Sequence, residues 1–291
     1  MSIKVVLCVA LIVHFLAAYK PVITFHGING NEHDFDRLKE WTEKYHPGQL
    51  FLLNPIFRRT ESVFMNLPYQ VLGLAASIER MKAEHNFTSH HLLCHSQGAL
   101  VCRAYLQSFD HSCENFISLS GPQMGQFGAT LYWENYMPFL RNLSTHEAHT
   151  LFYMRGVQYM ITVANFWNDP WHHEEFLRES VFLPKYNYEK NEQFKQNFMK
   201  LKLAVFYGSP GDEVIEPWES AVFGFFNTSK PAYDYQMLTY RDQEVYTQDY
   251  FGLRTMGLQN RVIIKEIPNV NHGGWIFRED IFADYSLPYL T

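Results

Sequence analysis

What most constrains the fold of this chain is an alternation. Short apolar runs rich in β-branched residues, each closing on a turn, take turns with longer stretches whose apolar residues recur at helical spacing. "KPVITFHGING" reads as a buried strand ending in a glycine-bearing loop. "DFDRLKEWTEKYH" puts Phe35, Leu38, Trp41 and Tyr45 on one helix face, and "GQLFLLN" returns to strand. Residues 68–84 follow as a helix carrying Leu72, Ala75, Ala76 and Ile78. "HHLLCHS" is strand, "QGALVCRAYLQSF" helix and "NFISLSG" strand, and later "LKLAVFYG" and "RVIIKEIPNV" supply two more strands. Strands and helices of these lengths in strict alternation predict an α/β fold with a mostly parallel, doubly wound sheet. Between Gly121 and about Lys200 the pattern fails. That stretch, with "LYWENYMPFL" and "NFWNDPWHHEEF", is expected to be a helical insertion at about 121–200 within one domain spanning 19–291.

With 47% hydrophobic and 19% charged residues in 291, the chain is globular. Its net charge of -6 and the lack of any dense basic run argue against nucleic acid as a partner. Residues 1–18 set Lys4 ahead of an apolar run ending in Ala17 and Ala18, the layout of a signal peptide and too short for a stable membrane span of roughly 20 residues. A buried first strand or an uncleaved anchor is the alternative. Sequons at Asn86, Asn142 and Asn227 favour the secretory route, and 14 histidines suit an acidic compartment. Beyond the leader the cysteines are Cys94, Cys102 and Cys113, so one pair and one odd thiol are expected.

The stretch "HLLCHSQGALVCRA" places Ser96 between a strand and a helix. A sharp strand-to-helix turn lifts such a serine above the sheet, and its neighbours must be small because strand and helix nearly touch. Gly98 meets that demand, whereas Cys94 stands where a first glycine is usual. Cys102 lies four residues beyond Gly98 on the helix face turned toward Cys94, so a Cys94–Cys102 disulfide would fill that space. By itself x-x-Ser-x-Gly is a weak pattern, and a serine in an ordinary turn is its bland reading. The order required of an α/β hydrolase is serine, acid, histidine. Asp212 follows the strand "LKLAVFYG" and His272 follows "RVIIKEIPNV", which completes that order. His272 would take the Ser96 proton and Asp212 would orient the imidazole. The backbone N–H groups of Gln97 and Ile28 would hold the oxyanion.

Rivals are present. His95 adjoins Ser96 but should point away from it, and Glu213 and Glu216 flank Asp212 as alternative acids. "HHEE" at 172–175 suggests a metal, yet adjacent histidines cannot share a helix face and no third ligand is evident, so a polar surface segment is expected and no metal or organic cofactor.

The segments "LLCHSQGALVCRA", "FISLSGPQMGQFG", "GDEVIEPWESAVFGFF", "YFGLRTM" and "VNHGGW" together resemble the palmitoyl-protein thioesterases, in particular the type 2 lysosomal branch, where cysteine likewise stands two residues before the nucleophile. The resemblance runs from about Lys20 to the C-terminus. It implies an α/β hydrolase with an inserted lipid-binding segment that cleaves fatty-acyl thioesters in the lysosome, with Ser96, Asp212 and His272 in the family's three catalytic positions. Vertebrate members of that branch carry further disulfides whose cysteines are absent here. Trp133, Phe139, Phe152 and Phe166 are candidates to line an acyl groove, although core packing is the stronger expectation for each. A lipase or carboxylesterase using the same triad on oxygen esters is the alternative enzyme, and an inactive lipid-binding glycoprotein the alternative outside enzymes.

Overall fold

A computed structural model describes residues 19–128, 140–229 and 236–291. The leader lies outside the described residues, as do Trp133 and Phe139. Six strands form one sheet: β1 (Val22–Phe25), β2 (Phe51–Leu52), β3 (His90–His95), β4 (Cys113–Leu119), β5 (Leu203–Gly208) and β8 (Val262–Glu266), in the order β2-β1-β3-β4-β5-β8. Every pairing is parallel, so the sheet matches the α/β expectation. Two further strands, β6 (Phe225–Phe226) and β7 (Met237–Leu238), pair antiparallel in a separate ribbon. Nothing in the sequence pattern announced them, since two-residue strands have no periodicity to read.

The sheet is apolar on both faces because helices cover both. Along β5, Ala204 and Phe206 enter one core and Val205 and Tyr207 the other, the alternation that a pleated strand imposes. Helices α1 (Asp36–Tyr45), α2 (Leu67–His85) and α3 (Gln97–Ser108) supply much of the cover. Leu38 of α1 and Trp275 and Phe282 near the C-terminus fill one core, while Leu74 and Ile78 of α2 and Leu100 and Leu106 of α3 fill the other. α2 starts where Asn66 accepts the Tyr69 N–H at 3.0 Å with Pro68 in its first turn, and stops at Asn86, which is left-handed at φ 53°.

Residues between β4 and β5 add no strand to the sheet among those described; they form short helices, including α4 (Ala148–Phe152), His173–Glu179 and Leu183–Asn187. Phe152 and Phe166 of this segment are buried in the core and do not line the cavity at Ser96. Arg103 of α3 ties the insertion down. Its guanidinium is buried and donates to Gln123 Oε1 at 2.6 Å and Asn187 Oδ1 at 2.7 Å, and it lies over the ring of Phe251. Burial lowers its pKa to about 9, which still leaves it charged at neutral pH. No described helix is long and apolar enough to cross a membrane.

Candidate active site

The chain leaves β3 and enters α3 through Ser96, which is held at φ 55° and ψ -133°. A serine in that region of backbone space is strained and persists only where its surroundings dictate it. Here they do. The Ser96 N–H donates to Leu119 O of β4 at 2.9 Å, and a Cβ added at Gly98 would stand 2.3 Å from His26 O and 2.5 Å from Phe25 O. Gly27, on the facing loop, also approaches too closely for a side chain, since a Cβ there would lie 2.8 Å from Ser96 Cβ. Cys94 and Cys102 form a disulfide from β3 to α3, both fully buried. The residue in place of the usual first glycine is therefore a cross-link. Cys113 stays free and buried, and burial pushes its thiol well above the ordinary range.

Asp212 and His272 lie beyond the carboxyl ends of β5 and β8, as Ser96 lies beyond that of β3, the edge where open α/β sheets place their sites. His272 Nδ1 is 2.9 Å from Asp212 Oδ2 and 3.1 Å from Oδ1, so the ring donates its Nδ1–H to the carboxylate. Asp212 is held in turn: Oδ1 accepts the N–H groups of Val214 and Ile215, each at 2.9 Å, and Oδ2 accepts the hydroxyl of Ser120. Burial alone would raise the pKa of Asp212. The facing His272 and these donated hydrogen bonds outweigh it and bring the value down to about 2.

The rivals occupy other posts. Glu213 accepts the backbone N–H of His272 at 3.0 Å, which fixes the loop and leaves the ring to Asp212. Burial and the nearby Asp212 raise the pKa of Glu216, whose side chain packs against Gly128. His95 Nε2 is 2.9 Å from the carbonyl of His272, with the two rings 4.6 Å apart. Burial, then the neighbouring His272, lowers its pKa to about 3. An imidazole so reluctant to hold a proton is a poor base and a good spacer. Ser120 was not singled out by sequence; the one signal was a second serine at the end of a strand in "SLSG".

Ser96 and His272 face a cavity of about 250 Å³ that is also lined by Gly27, Ile28, Arg59 and Val214. Among the described residues, neither the Ile28 N–H nor the Gln97 N–H meets an acceptor. Two unpaired amides beside a strained serine are what a developing oxyanion requires. The Gln97 side chain is turned away and donates to Ser62 O at 2.8 Å. Of the sequons, Asn86 and Asn142 are exposed, whereas Asn227 is partly buried and its Oδ1 accepts from the Ser229 amide and hydroxyl. In the tetrad at 172–175, His172 turns to Asp169 and His173 packs against Phe176 and Tyr188, so the adjacent histidines do diverge. Three-dimensional proximity adds what the sequence did not make evident, for His149 and Asp169 lie beside His172 in one cluster.

A family model described as palmitoyl protein thioesterase matches residues 21–272. The chain is 33% identical to lysosomal thioesterase PPT2-B of Xenopus laevis, with 94% of this chain and 93% of that one covered. It is 32% identical to lysosomal thioesterase PPT2 of Homo sapiens, covering 94% and 89%, and 29% identical to palmitoyl-protein thioesterase 3 of Dictyostelium discoideum, covering 99% and 98%. Among solved structures it resembles the mature form of the Bacillus licheniformis lipase BlEst2, with a TM-score of 0.51, 15% identity and 94% of this chain covered, which bears on fold alone. The match of the family model across most of the chain, on an α/β-hydrolase sheet with a strained serine at its carboxyl edge, makes this chain a member of the palmitoyl protein thioesterase family.

Proposed function

We propose that the protein hydrolyses fatty-acyl thioesters through an acyl-enzyme on Ser96, with His272 as general base and Asp212 as its orienting acid. The observation that carries this is the strained Ser96 turn opening on the same cavity as an imidazole already bonded to a buried carboxylate. The Ser96 hydroxyl attacks the acyl carbonyl while His272 accepts its proton. The oxyanion takes hydrogen bonds from the amides of Gln97 and Ile28, each worth about 3–4 kcal/mol of barrier. The tetrahedral intermediate collapses, the C–S bond breaks, and the thiol leaves with the proton from His272. Water activated by the same imidazole then attacks the acyl-enzyme and releases the fatty acid. A thiolate leaves readily, so selectivity falls to recognition of the acyl chain.

Relatives named lysosomal thioesterases, together with exposed sequons at Asn86 and Asn142, support a route through the secretory pathway to the lysosome, with glycans at those positions. The test is labelling by a fluorophosphonate probe together with turnover of palmitoyl-CoA and of a matched oxygen ester. Labelling should vanish in Ser96→Ala, and the thioester should be the better substrate. An oxygen ester turned over orders of magnitude faster would overturn the thioesterase assignment, and persistent labelling of Ser96→Ala would overturn the nucleophile.

A further inference from the structure

Among the described residues, Asp169 is the most deeply buried carboxylate outside the proposed catalytic group, fully shielded from water in the insertion between β4 and β5. Its Oδ1 accepts the backbone N–H groups of Trp171 at 2.8 Å and His172 at 3.3 Å, which locks the carboxylate in place. Its Oδ2 faces two imidazoles and, among the described residues, no lysine or arginine: His172 Nδ1 stands at 3.1 Å and His149 Nδ1 at 3.7 Å. A carboxylate taken out of water without a full positive charge beside it is costly. The two rings lie stacked 3.5 Å apart, and their side chains are 17% and 36% exposed, so the open side of the cluster reaches solvent.

One ligand atom from each of the three residues lies within 4.8 Å of the others, close enough for a single ion to gather them. Zinc binds imidazole nitrogen and carboxylate oxygen at roughly 2.0–2.2 Å, and tetrahedral geometry then separates neighbouring ligand atoms by roughly 3.4 Å. The two nitrogen-to-oxygen distances bracket that value. We propose that His149, Asp169 and His172 bind a zinc-class divalent cation, with water in the fourth position. The ion would supply the positive charge that Asp169 lacks, and would staple α4 to the turn that begins the helix His173–Glu179. Binding requires the stacked rings to splay until both Nδ1 lone pairs converge, and His149 to give up its 2.9 Å hydrogen bond to His146 O. The site is independent of the hydrolase assignment.

The test is calorimetric titration of the full-length, chelator-stripped protein with Zn2+ at pH 7.5, with thermal melts and with Co2+ as a visible-absorption probe. One Zn2+ per chain should bind, raise the melting temperature, and be mimicked by Co2+ with the intense bands of a four-coordinate site. His149→Gln and His172→Gln should each weaken binding by more than about 100-fold, beyond the 10–100-fold typical of losing an outer partner. Asp169→Asn should do the same while keeping an oxygen for the Trp171 and His172 amides. The two histidine variants are partly exposed and should melt like the parent without zinc, so they decide the matter should Asp169→Asn fold poorly. Absence of saturable one-to-one binding, or binding unchanged in both histidine variants, overturns the proposal.

Discussion

Replacing Gly98 with alanine sets two effects against each other, and the structure decides between them. Position 98 lies in the first turn of α3, where alanine is favoured over glycine by about 1 kcal/mol of helix propensity. Against this, the new methyl would meet His26 O at 2.3 Å and Phe25 O at 2.5 Å, both backbone atoms of the β1 edge that have no rotamer to escape into. Contact below 3.0 Å is not tolerated, so α3 must withdraw from β1 by about 0.7 Å. Overpacking of this kind costs about 1–3 kcal/mol and outweighs the propensity gain. The same withdrawal carries Ser96 and the Gln97 amide with it. Because a 1 Å misplacement can cost about 100-fold in rate, kcat for an acyl thioester should fall by roughly 30- to 100-fold. KM should change little, since the cavity walls at Ile28, Val214 and Ile276 stay put. Steady-state kinetics and denaturant unfolding read the two effects separately. Gly156→Ala is the control, as nothing lies within 4 Å of its added carbon in the short helix Arg155–Gln158; it should leave the kinetics unchanged and, with the propensity gain unopposed, raise stability by up to about 1 kcal/mol. A Gly98→Ala protein with kcat within threefold of the parent and an unshifted midpoint would refute the claim that strand and helix touch there.

Asp212→Asn keeps an oxygen for the Val214 and Ile215 amides but no longer holds the His272 tautomer, so kcat should fall about 10⁴-fold with little change in KM; a loss under tenfold would move the acid's role to another residue. The depressed pKa of Asp212 contributes stability that is fully present above the ordinary carboxylate range and is lost as pH falls from about 4 toward 2. Acid unfolding should therefore leave the pair intact at pH 5, and Ser120→Ala should shift the acid limb upward by removing one donor; an unchanged limb would discount that bond. The Cys94–Cys102 cross-link joins residues at a sequence separation of 8, worth about 2.5 kcal/mol by loop entropy, so replacing both cysteines with alanine should lower the unfolding free energy by at least that much. A smaller loss by denaturant titration would show that the unfolded chain gains little from the cut.

The positions proposed as catalytic are legible as candidates because their constraints are local or ordinal. An elbow needs a strand, a serine, a small residue and a helix within a few positions, and "HLLCHSQGALVCRA" carries all four. The order of Ser96, Asp212 and His272 then follows from which strands run to the same edge of a parallel sheet. Ser120 was not legible, because its partner lies 92 positions away and its role depends on what packs opposite, a relation no spacing encodes. The cluster of His149, Asp169 and His172 is illegible in the sequence for a related reason. In the tetrad "HHEE" the first histidine, His172, lies before the helix His173–Glu179 and meets His149 from α4, a relation that spacing along one helix does not encode. Backbone strain supplies the missing signal in the first case. Ser120 sits at φ 49°, a conformation glycine would adopt without cost, and Gly121 follows directly. A serine in that conformation rather than its unstrained alternative points to the hydroxyl as what the position uses, and the hydroxyl points at Asp212. Strain at Ser96 and at Ser120 thus flanks the same histidine–carboxylate pair: one side turns the Ser96 hydroxyl to the cavity that His272 also lines, and the other sets the Ser120 hydroxyl against the Asp212 carboxylate.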